Sequence, residues 1–227
     1  MIANILKAII KLLFGMFLLV DIPLLGWGFD DITGFLANPA RVAFLAGSGV
    51  LGIVYAWFMP QNTLSDGIQG KLVNRQKLML WLSILIYIVM FTSLPYCDHH
   101  NLWLIEAENN LRYTGVIIFL IGVLFSTWGP LHLGKQFSFN LTIQEEHKLV
   151  TDGPFRWVRH PRYFGLITWI VGVSLIHLSI VGLVLTGIMI ILLAWRIYDE
   201  ERLLYQVFGQ QWITYCQQTK KIIPLIL

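Results

Sequence analysis

The sequence predicts an all-α, polytopic helical membrane protein of about six transmembrane helices, the last two a tight hairpin. Three observations carry this. Of its 227 residues 56% are hydrophobic and 13% charged, against roughly 25% charged in a soluble domain. The apolar residues fall into runs near the length that crosses a bilayer, about 20 residues, separated by polar intervals, and mean hydropathy is +0.68. Nine Trp, eight Tyr and 14 Phe suit aromatic belts at two membrane surfaces. The net charge of +3 is small and lies beside apolar segments, which marks it as a topology bias and not as a nucleic-acid footprint.

The first apolar run, residues 5–25, is long enough to span, and longer than the apolar core of a cleavable signal peptide. Residues 26–39 read as a loop, with Asp30-Asp31 and Asn38-Pro39. The second crossing, 42–59, carries Gly47, Gly49 and Gly52, small residues that let membrane helices pack closely. A polar loop with Lys71, Arg75 and Lys77 leads to the third crossing, 78–94. Residues 95–110 form a second loop, with Asp98, Glu106 and Glu108. The fourth crossing, 111–128, is expected to stop at Gly129-Pro130. After a polar interval come two runs, 163–176 and 178–195, each short for a crossing and joined near His177-Leu178-Ser179. The last helix continues through Arg196 to Arg202, and the amphipathic tail is expected on the membrane surface.

Basic residues concentrate in the 71–77 loop, the 135–162 interval and the tail, whereas the loops holding Asp30 and Asp98 are poor in Lys and Arg. Six crossings with both termini cytoplasmic put every basic loop inside. This predicts a multi-pass protein of a bacterial inner membrane or an ER-like one. Cys97 and Cys216 then lie on opposite sides of the membrane, which argues against a disulfide between them. No Cys/His spacing suggests a metal site.

Two charged clusters stand out against this background. The longest polar interval, EHKLVTDGPFRWVRHPRYFG at 146–165, has a turn signal at Gly153-Pro154 and sets Arg159 and His160 ahead of Pro161, a favoured first-turn helix residue. Free N–H groups and a positive dipole end suit a carboxylate or phosphate there. A loop that only meets lipid headgroups is the alternative. In the second cluster Arg196 and Glu200 lie four apart and share a helix face. A snorkelling interfacial face is the alternative there. The hairpin returns the chain to the surface it left, so both clusters can line one pocket. Cations and anions meeting at a membrane edge suit a zwitterion such as an amino-acid moiety.

The stretch from His147 through Gly165, with Glu200-Glu201-Arg-Leu-Leu, Phe208-Gly209, Tyr215 and Pro224 downstream, resembles the isoprenylcysteine carboxyl methyltransferase family. Phospholipid N-methyltransferases and bacterial thiol methyltransferases are similar. The resemblance covers roughly residues 115–224. Residues 111–227 are therefore expected to form the methyltransferase region, and 1–110 three unmatched crossings, in one integrated membrane domain.

The resemblance implies a cytoplasmic pocket for S-adenosyl-L-methionine. By position it implies cofactor contacts from His147, Leu149, Val150, Phe155, Arg159, His160, Pro161, Tyr163 and Glu200, with Glu201 alongside, and Phe155 stands where relatives commonly carry Tyr. Arg196 is expected to face the methyl acceptor, so that Arg196 and Glu200 form the catalytic pair. The protein's work is to align an acceptor with a methyl that is already electrophilic. Arg159 and the helix start would meet the methionine carboxylate, and Glu200 the ammonium. A carboxylate acceptor needs no general base, whereas an amine needs one, and His160 is the nearest candidate. The expected partners are the lipid bilayer and a small or lipid-like acceptor: an isoprenylcysteine carboxylate, a thiol or a phospholipid amine. A catalytically silent membrane partner of the same family, or an NADPH-dependent sterol-reductase-like enzyme, are the alternatives.

Overall fold

In a computed structural model of the protein, the residues described are 2–58, 73–137 and 148–223. They form nine α-helices and no extended strand. The first crossing is a single rod: α1 (Ile2–Met16), one wide turn (Phe17–Asp21) and α2 (Ile22–Trp27). The expected loop after it is partly helical, with a short α3 (Ile32–Leu36) capped by the Asp31 side chain. Pro39 opens α4 (Pro39–Trp57), where the Asn38 side chain accepts the Ala40 N–H at 2.9 Å. Then come α5 (Val73–His99), α6 (Asn109–Leu133), α7 (Pro161–Ile176), α8 (Ile180–Phe208) and α9 (Gln210–Gln218).

Among the described residues, five stretches are long and apolar enough to cross a bilayer: Ile9–Trp27, Pro39–Trp57, Arg75–His99, Asn109–Leu133 and Ile180–Phe208. The sixth expected crossing, α7, is a shorter apolar helix. The hairpin is therefore lopsided. Its 16-residue arm spans about 24 Å and its 29-residue arm about 44 Å, at about 1.5 Å per residue.

Three boundaries differ from expectation. Helix α5 runs through Pro95 to His99, taking in the start of the expected loop. Helix α6 runs through Gly129-Pro130 and stops at Gly134, whose φ is +54°. Proline removes one helical hydrogen bond, which a packed membrane helix tolerates. The tail is the third case. Gly209, at φ +49°, turns the chain back so that Trp212 and Tyr215 are buried against the protein.

Helices α6 and α7 pack backbone to backbone. A Cβ on Gly115 or Gly122 of α6, or on Gly165 or Gly172 of α7, would overlap main-chain atoms of the other helix. Gly165 and Gly172 are thus packing residues. Phe44 of α4, Phe91 of α5, Phe119 of α6 and Trp169 of α7 fill the centre of the bundle.

The bundle has two polar ends. At one, Asp98 of α5 receives both Arg41 of α4, at 2.9 and 3.1 Å, and Arg112 of α6, at 2.9 and 2.8 Å. The His177 Nδ1 lies 3.0 Å from the same carboxylate. Arg112 also donates to the Ile176 carbonyl, tying the hairpin tip to α6. At the other end Arg75 lies over Trp195 and 3.8 Å from Asp199. This is the end where α6 finishes, α7 starts and the charged part of α8 emerges. Cys97 and Cys216 are both free, at opposite ends.

Candidate active site

The pocket at this second end is built from the polar interval upward. Gly153, at φ +57°, makes the turn, and a Cβ there would press into the His132 ring of α6. His132 Nε2 lies 3.0 Å from Asp152, and this hydrogen bond holds the Asp152 carboxyl below its usual range. The turn thus sits on the end of α6 and delivers Phe155, Arg159 and His160 to the start of α7. Pro161 opens α7, with His160 as the preceding cap residue.

One face of α8 meets this corner. The Arg196 Nε donates to the Tyr163 hydroxyl at 2.8 Å, and that hydroxyl donates to Glu200 Oε2 at 2.8 Å. Tyr163, itself buried, therefore bridges the two groups that helical spacing puts on one face. His160 is buried, with Nδ1 3.9 Å from Glu200 and Nε2 3.4 Å from Glu201. The neighbouring acids on α8 serve other contacts. Asp199 is buried toward Arg75, and Glu201 binds Arg159 at 3.1 Å and Lys221 at 2.7 Å.

The concavity between these elements is lined by Leu149, Val150, Phe155, Arg159, His160, Pro161, Tyr163, Arg196 and Glu200, all expected from the sequence. Glu201 is not on the lining, and His147 lies outside the described residues. Lining residues that the sequence reading did not single out as site residues include Lys148, Arg162, Leu203, Leu204, Trp212 and Tyr215. The Arg162 guanidinium acts electrostatically on Tyr55 of α4, so the N-terminal half approaches the pocket at this residue. Trp212 and Tyr215 become visible only once α9 folds back, although their three-residue spacing puts them on one helix face. The Tyr215 hydroxyl, pushed up in pKa by burial, donates to the Phe155 carbonyl at 2.7 Å.

This arrangement lies inside the stretch that matches a known family. Residues 115–206 match the model of the isoprenylcysteine carboxyl methyltransferase (ICMT) family. The chain is 28% identical over 156 residues to protein-S-isoprenylcysteine O-methyltransferase B of Arabidopsis thaliana, covering 66% of this chain and 73% of that one. It is 33% identical over 121 residues to protein-S-isoprenylcysteine O-methyltransferase of Tribolium castaneum, covering 51% of this chain and 42% of the beetle protein.

Over residues 115–206 the chain matches the isoprenylcysteine carboxyl methyltransferase family.

This match and the named relatives, with the membrane-spanning helices, make it a membrane methyltransferase. The fold agrees beyond the matched stretch. A solved structure of the eukaryotic intramembrane Ras methyltransferase ICMT superposes with a TM-score of 0.56 at 22% identity, covering 90% of this chain and 73% of that one. Three α8 groups of this chain now separate by direction. Arg196 and Glu200 face the pocket through Tyr163, and Glu201, roughly 100° further round the helix, faces the loop and the C-terminal segment. Removing the bridge alone tests the first pair. Tyr163→Phe keeps the ring and its packing but leaves Arg196 and Glu200 unlinked. A fall in kcat of about tenfold or more, with little change in melting temperature, is the expected result, read by methyl-transfer kinetics and thermal melting.

Proposed function

We propose that this protein transfers the methyl group of S-adenosyl-L-methionine to the carboxylate of a lipid-modified cysteine at the membrane surface. The observation that carries the reading is the Arg196–Tyr163–Glu200 chain of hydrogen bonds, set in a mixed polar and apolar pocket at one end of the bundle. The donor set fits the methyl donor. Among the described residues Glu200 is the one carboxylate on the lining and would take the ammonium; Lys148 and Arg159 would meet the carboxylate. Leu149, Val150, Phe155, Leu203, Leu204 and Trp212 offer an apolar surface for an adenine ring. The bound sulfonium supplies an electrophilic methyl, so the chain's task is alignment and charge placement.

Arg196 orients the acceptor. A guanidinium binds a planar carboxylate through two parallel hydrogen bonds, which selects an acceptor that is already an anion. Such an acceptor has no proton to lose. His160, buried and directed at Glu200 and Glu201, suits a structural role in the same scheme. The names of the relatives favour this acceptor over a thiol or an amine. Residues 111–227 then carry methyl transfer, while 1–110, which reach the pocket through Tyr55 and Arg162, shape the acceptor side. The pocket end holds Arg75, the 148–162 loop and the basic tail, which supports a cytoplasmic active site and cytoplasmic termini.

The test is a labelled-methyl assay in membranes with S-adenosyl-L-methionine and three acceptors: a prenylated cysteine, phosphatidylethanolamine and a small thiol. Base-labile label on the prenylated cysteine is expected. Label on the thiol or the amine would move the acceptor class, and label on none would overturn the reading.

A further inference from the structure

The C-terminal segment after Gly209 is fastened to the loop ahead of α7 in three ways. Its backbone pairs with the loop: Val158 and Lys220 form a parallel bridge, the Arg159 N–H donates to the Lys220 carbonyl at 2.8 Å, and the His160 N–H to the Lys221 carbonyl at 3.1 Å. The Arg159 guanidinium closes the end of α9, donating to the carbonyls of Cys216 at 3.1 Å and Thr219 at 2.6 Å. Glu201 ties both together. Its Oε1 accepts from Arg159 Nε at 3.1 Å and lies 3.4 Å from His160 Nε2, and its Oε2 pairs with Lys221 Nζ at 2.7 Å. So Glu201 stays off the pocket lining, yet its partners Arg159 and His160 are on it, as are Trp212 and Tyr215 of the segment itself.

We infer that Glu201 is a positioning residue and that residues 210–223 are a latch forming one wall of the pocket, seated by the Glu201–Lys221 ion pair. The two arms of Glu201 differ in strength. Toward Arg159 and His160 the contacts are largely shielded, with side-chain exposures of 11% and 2%. Toward Lys221 the pair is at the surface, with the lysine 40% exposed. An exposed pair is weak and screened by salt, so it is the arm that releases first. Gly209 supplies the pivot, with a positive φ and open space where a side chain would stand. Release frees the Lys220 and Lys221 carbonyls from Arg159 and His160 and swings Trp212 and Tyr215 off the pocket. Ligand enters or leaves at that moment.

The inference rests on the methyl-donor reading only for its binding arm. The test variant is Lys221→Met, which keeps an apolar stem at a residue outside the pocket lining. In the ligand-free protein, amide hydrogen exchange at Arg159 and His160 is expected to speed up about two- to fivefold, with α6 and α7 unchanged. The donor dissociation constant should rise by a similar factor while kcat stays within about twofold. Raising salt should weaken donor binding more steeply in the natural protein than in the variant. Lys221→Arg should restore exchange and affinity. Unchanged exchange at Arg159 and His160 in Lys221→Met overturns the latch. If the natural protein binds no S-adenosyl-L-methionine, the donor reading falls, and the exchange measurement still decides the latch.

Discussion

Replacing Glu200 with glutamine is expected to weaken S-adenosyl-L-methionine binding by about 10- to 100-fold, the cost of losing one charged hydrogen-bonding partner. Glutamine keeps the shape and can still accept from the Tyr163 hydroxyl, so the bridge to Arg196 survives in outline. What is lost is the negative charge that Glu200 brings to the pocket lining. The side chain is 29% exposed, and the fold does not depend on it as a buried ion. Isothermal calorimetry and thermal melting on the same preparation separate the two effects. Weakened binding with a melting temperature near that of the natural protein is the expected pair of results. Unchanged affinity would remove Glu200 from the donor site.

The largest expected loss of stability lies at the opposite end. Asp98→Asn leaves Arg41 and Arg112, with side chains 12% and 8% exposed, facing a neutral amide whose one oxygen can keep two of the four hydrogen bonds while its NH2 meets the other two donors. Breaking a buried ion cluster by removing one partner costs about 3–5 kcal/mol. The expected outcome is a large drop in the melting temperature of detergent-solubilised protein. The fraction that stays folded should bind donor with natural affinity, because the cluster is remote from the pocket. A melting temperature near the natural value would show that the cluster does not hold α4, α5, α6 and the hairpin tip together.

The helices were legible because a bilayer accepts only backbone that satisfies its own hydrogen bonds, so long apolar runs have one outcome. The corner at His160-Pro161 and the Arg196/Glu200 face were legible because both are local: a first-turn proline and a four-residue spacing. What escaped was non-local. Arg41, Asp98, Arg112 and His177 lie on separate segments and each reads alone as an ordinary charge near a membrane surface. Glu200 and Glu201 are adjacent letters, and the direction each faces follows from helix geometry, but what waits there does not. Glu201 meets Lys221 and Arg159 only because Gly209 turns the tail back. Pro95 and Pro130 misled for a related reason, since packing against neighbouring helices carries α5 and α6 past residues that stop helices in water.

The shortness of α7 has a consequence for how a lipid-like acceptor is handled. A hydrocarbon core about 30 Å thick outreaches a 16-residue helix by about 6 Å. With its far end pinned beside Asp98, the shortfall falls at the Pro161 end, where Tyr163 and Arg196 sit. Set in such a bilayer, the floor of the pocket would lie below the headgroup plane. Drawing an acyl or prenyl chain out of a bilayer costs about 0.8 kcal/mol for each methylene exposed to water. A recessed floor brings the reacting atoms down to a chain that stays dissolved in lipid, so extraction adds nothing to the barrier.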